Sequence, residues 1–140
     1  MNNSVYSFLY ISTFPPSSKF RSDLFPRFDS IINGYLIEHC GLRPPVSSQI
    51  GLVVQSQCSF FKPVAFPAVV DLGLRVNSLG KSSVTYEVGV FEHGHDDVRA
   101  VGGFTHVFVR REKGRPAASG MPDDIRHGLR KILKRERANL

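Results

Sequence analysis

Leu79-Gly80-Lys81-Ser82-Ser83-Val84-Thr85-Tyr86-Glu87 is the stretch whose reading decides the fold. Before it, Val70, Leu72, Leu74 and Val76 alternate with Asp71, Gly73, Arg75 and Asn77; after it, Val84, Tyr86, Val88 and Val90 alternate with polar or small residues up to Phe91. Period-two alternation on both sides of a Gly-Lys turn predicts a hairpin of strands over 69–79 and 83–91, each with one apolar face. A polar turn over Glu92–Asp97 leads into a β-rich run from Val98 to Arg110, carrying Phe104, Val107, Phe108 and Val109. Gly102-Gly103 inside that run marks a bulge or a close backbone approach.

Upstream, Gln49 to Phe61 reads as another strand, stopped by Pro63. Ile31, Ile32, Tyr35, Leu36 and Cys40 fall on one helical face, with Asp29 or Ser30 as N-cap and Gly41 as stop, so a helix is predicted over 31–40. Downstream, Ala117–Gly120 is a small-residue linker, and Pro122 opens a helix with Asp123 and Asp124 in its first turn and Ile125, Leu129, Ile132 and Leu133 as its stripe. The order of helix, antiparallel meander and terminal helix is an α+β architecture.

The 140 residues make one domain, long enough to bury a core without a disulfide or metal staple. Cys40 and Cys58 are isolated, which argues for reduced thiols in an intracellular, cytoplasmic protein and leaves mitochondrial or peroxisomal compartments open. No window reaches the 18 or so apolar residues of a membrane span, and the apolar Tyr6–Ile11 run lacks the basic flank of a signal peptide. Much of the +6 net charge is terminal: Arg126, Arg130, Lys131, Lys134, Arg135 and Arg137 face three acids after residue 122. A second knot, Arg110, Arg111, Lys113 and Arg115, surrounds Gly114. Neither has interleaved aromatics or a groove-reading motif, so a solvated tail or a phosphate-bearing small ligand is expected, not nucleic acid.

From Phe28 to Leu133 the chain resembles the hotdog-fold acyl-CoA thioesterases of the 4-hydroxybenzoyl-CoA thioesterase type. Phe61-Lys62-Pro63 is similar to the end of the family's second strand, and Leu79–Glu87 to its L-G-[KR]-S-S-x-x-Y-E stretch. Thr105–Val109 followed by Gly114-Arg115-Pro116 is similar to its last strand and turn. The resemblance implies an antiparallel sheet wrapped around a central helix, with a further helix at the C-terminus, in a homodimer or homotetramer. It divides the chain into an irregular N-terminal segment (1–27), a hotdog domain (28–116) and a linker with a basic helix (117–140).

The beginning departs from the family. Members carry D-x-x-G-H-[VM]-N-N-x-x-Y-x-x-[YFL]-F-[DE] ahead of and into the central helix. Met1-Asn2-Asn3-Ser4-Val5-Tyr6-Ser7-Phe8-Leu9 resembles its second half and Phe28-Asp29 its end, separated by Tyr10–Arg27. That Pro- and Ser-rich segment reads as an insertion of the kind a translated intron leaves, falling within the central helix. On this reading the family's first strand and catalytic Asp would lie upstream, the helix would be interrupted, and the chain would be inactive and marginally stable.

The family resemblance implies a carboxylate to attack the thioester or activate water, N–H donors for the oxyanion and a site for CoA phosphates. Asn2, Asn3 and Tyr6 are motif remnants beside the missing Asp. Asp29 reads as an N-cap or an orienting group, and Glu38 as a weak alternative carboxylate on the helix. Phe61, Pro63, the Gly80-Lys81-Ser82-Ser83 turn, Arg110 and Arg111 are the expected substrate-binding residues. CoA is part of the substrate and no other cofactor is expected. Glu92-His93-Gly94-His95-Asp96-Asp97 reads as a polar hairpin loop, not a metal cluster, and His106 as a core or interface histidine. Val98–Val109, free of prolines, is the edge expected to pair with a second copy. The functional expectation is thioester hydrolysis to free acid and CoA; the competing one is a noncatalytic hotdog protein that binds an acyl thioester or a protein partner.

Overall fold

A computed structural model describes residues 8–15, 20–62 and 69–134, with the side chains of the first helix described from Leu24 onward. Its elements are β1 (Tyr10–Phe14), α1 (Phe20–His39), β2 (Gln49–Phe60), β3 (Val70–Leu79), β4 (Ser83–Glu92), β5 (Ala100–Arg110) and α2 (Asp123–Arg130). The five strands form one antiparallel sheet in the order β1-β3-β4-β5-β2. The β3–β4 hairpin is its centre, as the alternation predicts, and the α+β hotdog architecture follows from α1 packing on one face.

That face is apolar because of period two: Leu72, Leu74 and Val76 of β3, Val84, Tyr86, Val88 and Val90 of β4, and Phe104 and Phe108 of β5 are all buried in one cluster. Leu24, Phe28, Ile31, Ile32, Tyr35 and Leu36 are the helical stripe that meets them. Gly102 explains the tightest point of this seam. A Cβ there would lie 2.6 Å from Phe28 Cε2, so the glycine lets the Phe28 ring rest on the strand backbone. The β4–β5 register runs unbroken past it, so Gly102-Gly103 marks a close approach and not a bulge.

The described parts of the segment read as an insertion are a strand and the start of a helix. Tyr10–Phe14 is an edge strand paired with Val70–Leu74, and the chain from Phe20 is already helical. Tyr-Ile-Ser-Thr-Phe has the β-branched and aromatic content of a strand, and Tyr10 and Phe14 pack against the core. The prolines that follow it obscured that period. The expected first strand is therefore supplied by this segment, and the central helix is continuous over 20 residues. Leu24 and Phe28 extend the apolar stripe by two turns upstream of Ile31, enough to carry the helix through Pro26 despite its missing N–H. Asp29 consequently lies in mid-helix, exposed, and is not an N-cap. The edge expectation also changes: β5 lies between β4 and β2, so the sheet's edges are β1 and β2.

The reverse face of the sheet carries a buried ion pair, Arg75 with Glu87, whose side chains are 3% and 11% exposed; Asn77 Nδ2 donates to the same carboxylate at 2.9 Å. Phe8 covers it, with Arg75 Cζ 4.3 Å from the ring centroid and Gly73 and Gly89 leaving room for the ring. At the C-terminal end, Val76 N–H donates to Ile132 O at 2.8 Å and Lys134 N–H to Val76 O at 2.7 Å. Those Val76 groups are free for this because β1 stops pairing at Leu74.

G102A should destabilise the protein by about 1–3 kcal/mol, because the new methyl displaces a fully buried ring. F28L should recover part of that loss in the double variant, and urea unfolding measures both.

Candidate functional site

Two residue groups that lie far apart in sequence come together at one end of the sheet. Antiparallel pairing sets Ser83 opposite Val107, so the β3–β4 turn sits beside the end of β5. Gly80 N–H donates to Ser83 O at 2.8 Å, closing the turn, and Phe108 N–H donates to Ser82 O at 2.7 Å, tying it to β5. Lys81 is exposed at its tip. Arg110, Lys113 and Arg115 are exposed around the next turn, where Gly114 takes φ +63° and its N–H donates to Arg110 O at 2.8 Å. Arg43 is exposed in the loop after α1.

Arg111 differs from its neighbours. Its guanidinium donates to Pro44 O and, at 3.2 Å, to Ser47 O, while its N–H donates to Ser48 O at 2.9 Å. It pins the loop after α1 to the end of β5. The turn itself is braced by a residue of α2: Arg126 Nη2 donates to Gly80 O at 2.8 Å and to Lys81 O at 2.9 Å. A basic residue in an amphipathic helix gives no signal that two carbonyls 46 and 45 residues upstream await it.

Phe61 stands at the opposite end. Its N–H donates to Arg99 O at 2.8 Å, and its ring is exposed. The β2–β5 ladder runs from Phe60 opposite Ala100 to Gln49 opposite Arg110, so Phe61 lies about 35 Å from the cationic end at ~3.3 Å per residue. Within one copy of the chain the expected binding residues thus form two separate groups. Asn2, Asn3, Tyr6 and Pro63 lie outside the described residues.

The two helix carboxylates also diverge. Glu38 is exposed in the last turn of α1, accepts the Tyr10 hydroxyl at 3.4 Å and lies 3.8 Å from His39 Nε2. Burial, with Glu38 adding to it, raises the Tyr10 pKa. Asp29 is about 14 Å back along the axis at 1.5 Å per residue. Its charge acts on His106, a buried β5 histidine that contacts Tyr86 edge-on at 5.1 Å. Burial lowers the His106 pKa and Asp29 works against that. His106 Nδ1 and the Tyr86 hydroxyl have no hydrogen-bond partner among the described residues.

His93 does not meet His95 at a metal: its Nδ1 lies 3.0 Å from Asp71 Oδ2, and Asp71 also accepts the Thr13 hydroxyl at 2.6 Å. Among the described residues no three His, Cys, Asp or Glu side chains gather in a cation site. Cys40 is buried and its thiol pushed up to about 12, mainly by desolvation, which keeps it protonated and unreactive. No described helix is long and apolar enough to cross a membrane.

A helix cradled by a β1-β3-β4-β5-β2 sheet, with a glycine turn and cations at one end, defines the hotdog class. The Thioesterase superfamily model matches residues 28–98, half of the chain. The PA5185 protein of Pseudomonas aeruginosa is 34% identical, with 98% of this chain and 100% of that one covered and a TM-score of 0.88. The chain therefore belongs to the thioesterase superfamily. A 1,4-dihydroxy-2-naphthoyl-CoA thioesterase from Synechocystis (10% identity, 86% and 94% covered, TM-score 0.73) shares the fold. So does the SAV2348 protein of Staphylococcus aureus in complex with CoA (10% identity, 94% and 88% covered, TM-score 0.79). No curated protein matches the chain in sequence.

His106 sets a pH dependence whose sign follows from its lowered pKa. The native state holds the ring neutral, while the unfolded chain takes up a proton below about 6.5; stability is therefore fully present above that pH and falls as pH drops toward the native pKa. Urea midpoints measured from pH 8 to 5 should decline more steeply for the wild type than for H106F, and parallel curves would contradict the assignment.

Proposed function

We propose that the chain is an acyl-CoA thioesterase-like hydrolase that cleaves an acyl or aroyl thioester to the free acid and CoA. The observation that carries this is the set of cations at one end of the sheet: Lys81 is exposed on the Gly80–Ser83 turn beside the end of β5, Arg110, Lys113 and Arg115 are exposed at the turn that follows β5, and Arg111 ties in the loop that carries Arg43, with Glu112 and, in α2, Asp123 and Asp124 as exposed acids. CoA is polyanionic at its nucleotide end and apolar at its acyl end, which suits a cationic rim beside an apolar helix–sheet seam. The S. aureus neighbour, solved with CoA, supports the same ligand class.

Hydrolysis needs a water oxygen to attack the thioester carbon, the C–S bond to break and a proton to reach the departing sulfur. We assign the carboxylate that takes the water's proton to Asp29. Its charge bears on the buried β5 residue His106, whereas Glu38 sits at the helix C-terminus, where the dipole opposes a carboxylate, and is bonded to Tyr10. Gly80–Ser83, Arg110 and Phe61 are the proposed CoA contacts; Arg111 contributes by fixing the adjoining loop.

The 35 Å between those contacts argues for a dimer. β2 is a sheet edge, and Leu52, Val53 and Val54 at its middle are 44%, 49% and 60% exposed. Antiparallel pairing of β2 with a second copy about a two-fold axis there sets the Phe61 end of one subunit beside the Arg110 end of the other. Each site is then shared between subunits.

A noncatalytic, acyl-thioester-binding role is favoured by one observation: no donor among the described residues orients Asp29. Thiol release over a panel of acyl- and aroyl-CoA substrates separates the readings. We expect turnover that D29N lowers by about 100-fold or more and E38Q by less than threefold. CoA binding without release from any substrate would establish the noncatalytic role, and neither binding nor release would overturn the family-based reading.

A further inference from the structure

The Gly80–Ser83 turn is braced by a segment that lies outside the 28–98 match. The Lys81 carbonyl accepts from Met121 N–H at 2.9 Å and from Arg126 Nη2 at 2.9 Å, which occupies both of its lone pairs. The same Arg126 nitrogen donates to Gly80 O at 2.8 Å. Gly120, at φ +84°, lies beneath: a Cβ there would be 2.5 Å from Lys81 O and 2.8 Å from Lys81 Cγ. The Lys81 peptide is therefore clamped from one side and its stem directed from below. Its exposed ammonium, like the Arg126 guanidinium, is paired with no carboxylate among the described residues.

We propose that Arg126 is a positioning residue for ligand binding: by holding the Gly80 and Lys81 carbonyls it aims Lys81 at a phosphate of CoA, which makes α2 part of the site. This rests on the acyl-CoA reading above. A docking role alone would be met by the other contacts of α2, since Ile125 and Leu129 are buried and Tyr35 Oη donates to Gly128 O at 2.6 Å. The half-buried Arg126 directs its guanidinium away from that seam. It reaches instead to a turn whose backbone is already closed by its own hydrogen bond, and two charge-assisted bonds from one nitrogen fix the direction of the exit vector.

Calorimetry on the full chain, with CoA and with pantetheine as probes, tests it without depending on turnover. Pantetheine ends before the nucleotide phosphates. R126A should weaken CoA about tenfold and leave pantetheine within about twofold. R126K, which keeps the charge and the donors but lacks the rigid planar fork that fixes their direction, should fall between. K81A should reproduce the selective loss, and the R126A/K81A pair should lose little more than either alone, since one variant removes the ammonium and the other misaims it. Equal weakening of CoA and pantetheine, additive losses, or unchanged CoA affinity would each overturn the inference. If R126A does not fold, the same CoA-against-pantetheine split in R126K decides. A wild type that binds CoA beside an unchanged R126A overturns the Arg126 role alone; a wild type that binds neither probe overturns the acyl-CoA reading with it.

Discussion

The seam between α1 and the sheet rests on the Phe28 ring lying on the bare Cα of Gly102, with Phe104 edge-on at 5.4 Å and Phe25 beyond it. An aromatic ring against a strand backbone tolerates almost no displacement, so this contact fixes how deep the helix sits. Helix depth in turn places Tyr35, whose hydroxyl donates to Gly128 O and so docks α2. Docked α2 brings Arg126 to the Gly80 and Lys81 carbonyls. A glycine in β5 and the turn between β3 and β4 are thereby linked through two helices as well as through the β4–β5 ladder.

The two faces of the sheet are held by different physics. The helix face is mostly apolar, with His106 and Tyr86 buried among its hydrophobic side chains, and burial dominates its assembly. The reverse face buries a charge pair under one aromatic ring, and an ion pair so placed specifies geometry more than it adds stability. Glu87 takes donors from both Arg75 and Asn77 across the β3–β4 ladder, so the register of the central hairpin is pinned on the side that the core does not police.

The proposed chemistry follows from where the sheet ends. Antiparallel strands of 10 to 12 residues carry the glycine turn and the cations to one end and Phe61 to the other. On the proposed reading one subunit offers two half-sites, and the exposed apolar middle of β2 is the physical reason for the proposed pairing of two copies. The buried His106 and Tyr86 polar atoms lie between them along β5 and β4, beneath the helix.

Much of this was legible in the sequence. Alternation gave the four long strands within two residues of their ends, because a half-buried strand repeats every second side chain whatever it packs against. The family pattern of Leu79–Glu87 marked the turn, since a Gly-Lys corner between two such runs has few alternatives. Tyr10–Phe14 and the first turns of α1 were not legible: five residues carry too little period beside prolines, and Pro26 argues locally against a helix that Leu24 and Phe28 sustain only by packing. Strand order was not legible either, because hydropathy says which face of β5 is buried but not which neighbour takes its edge. Nor was the work of Arg111 and Arg126, whose acceptors are backbone carbonyls and leave no trace in residue type. Sequence determined what repeats locally, through side-chain period and turn chemistry; tertiary structure alone decided what meets across the fold, because those contacts depend on where the whole chain has been placed.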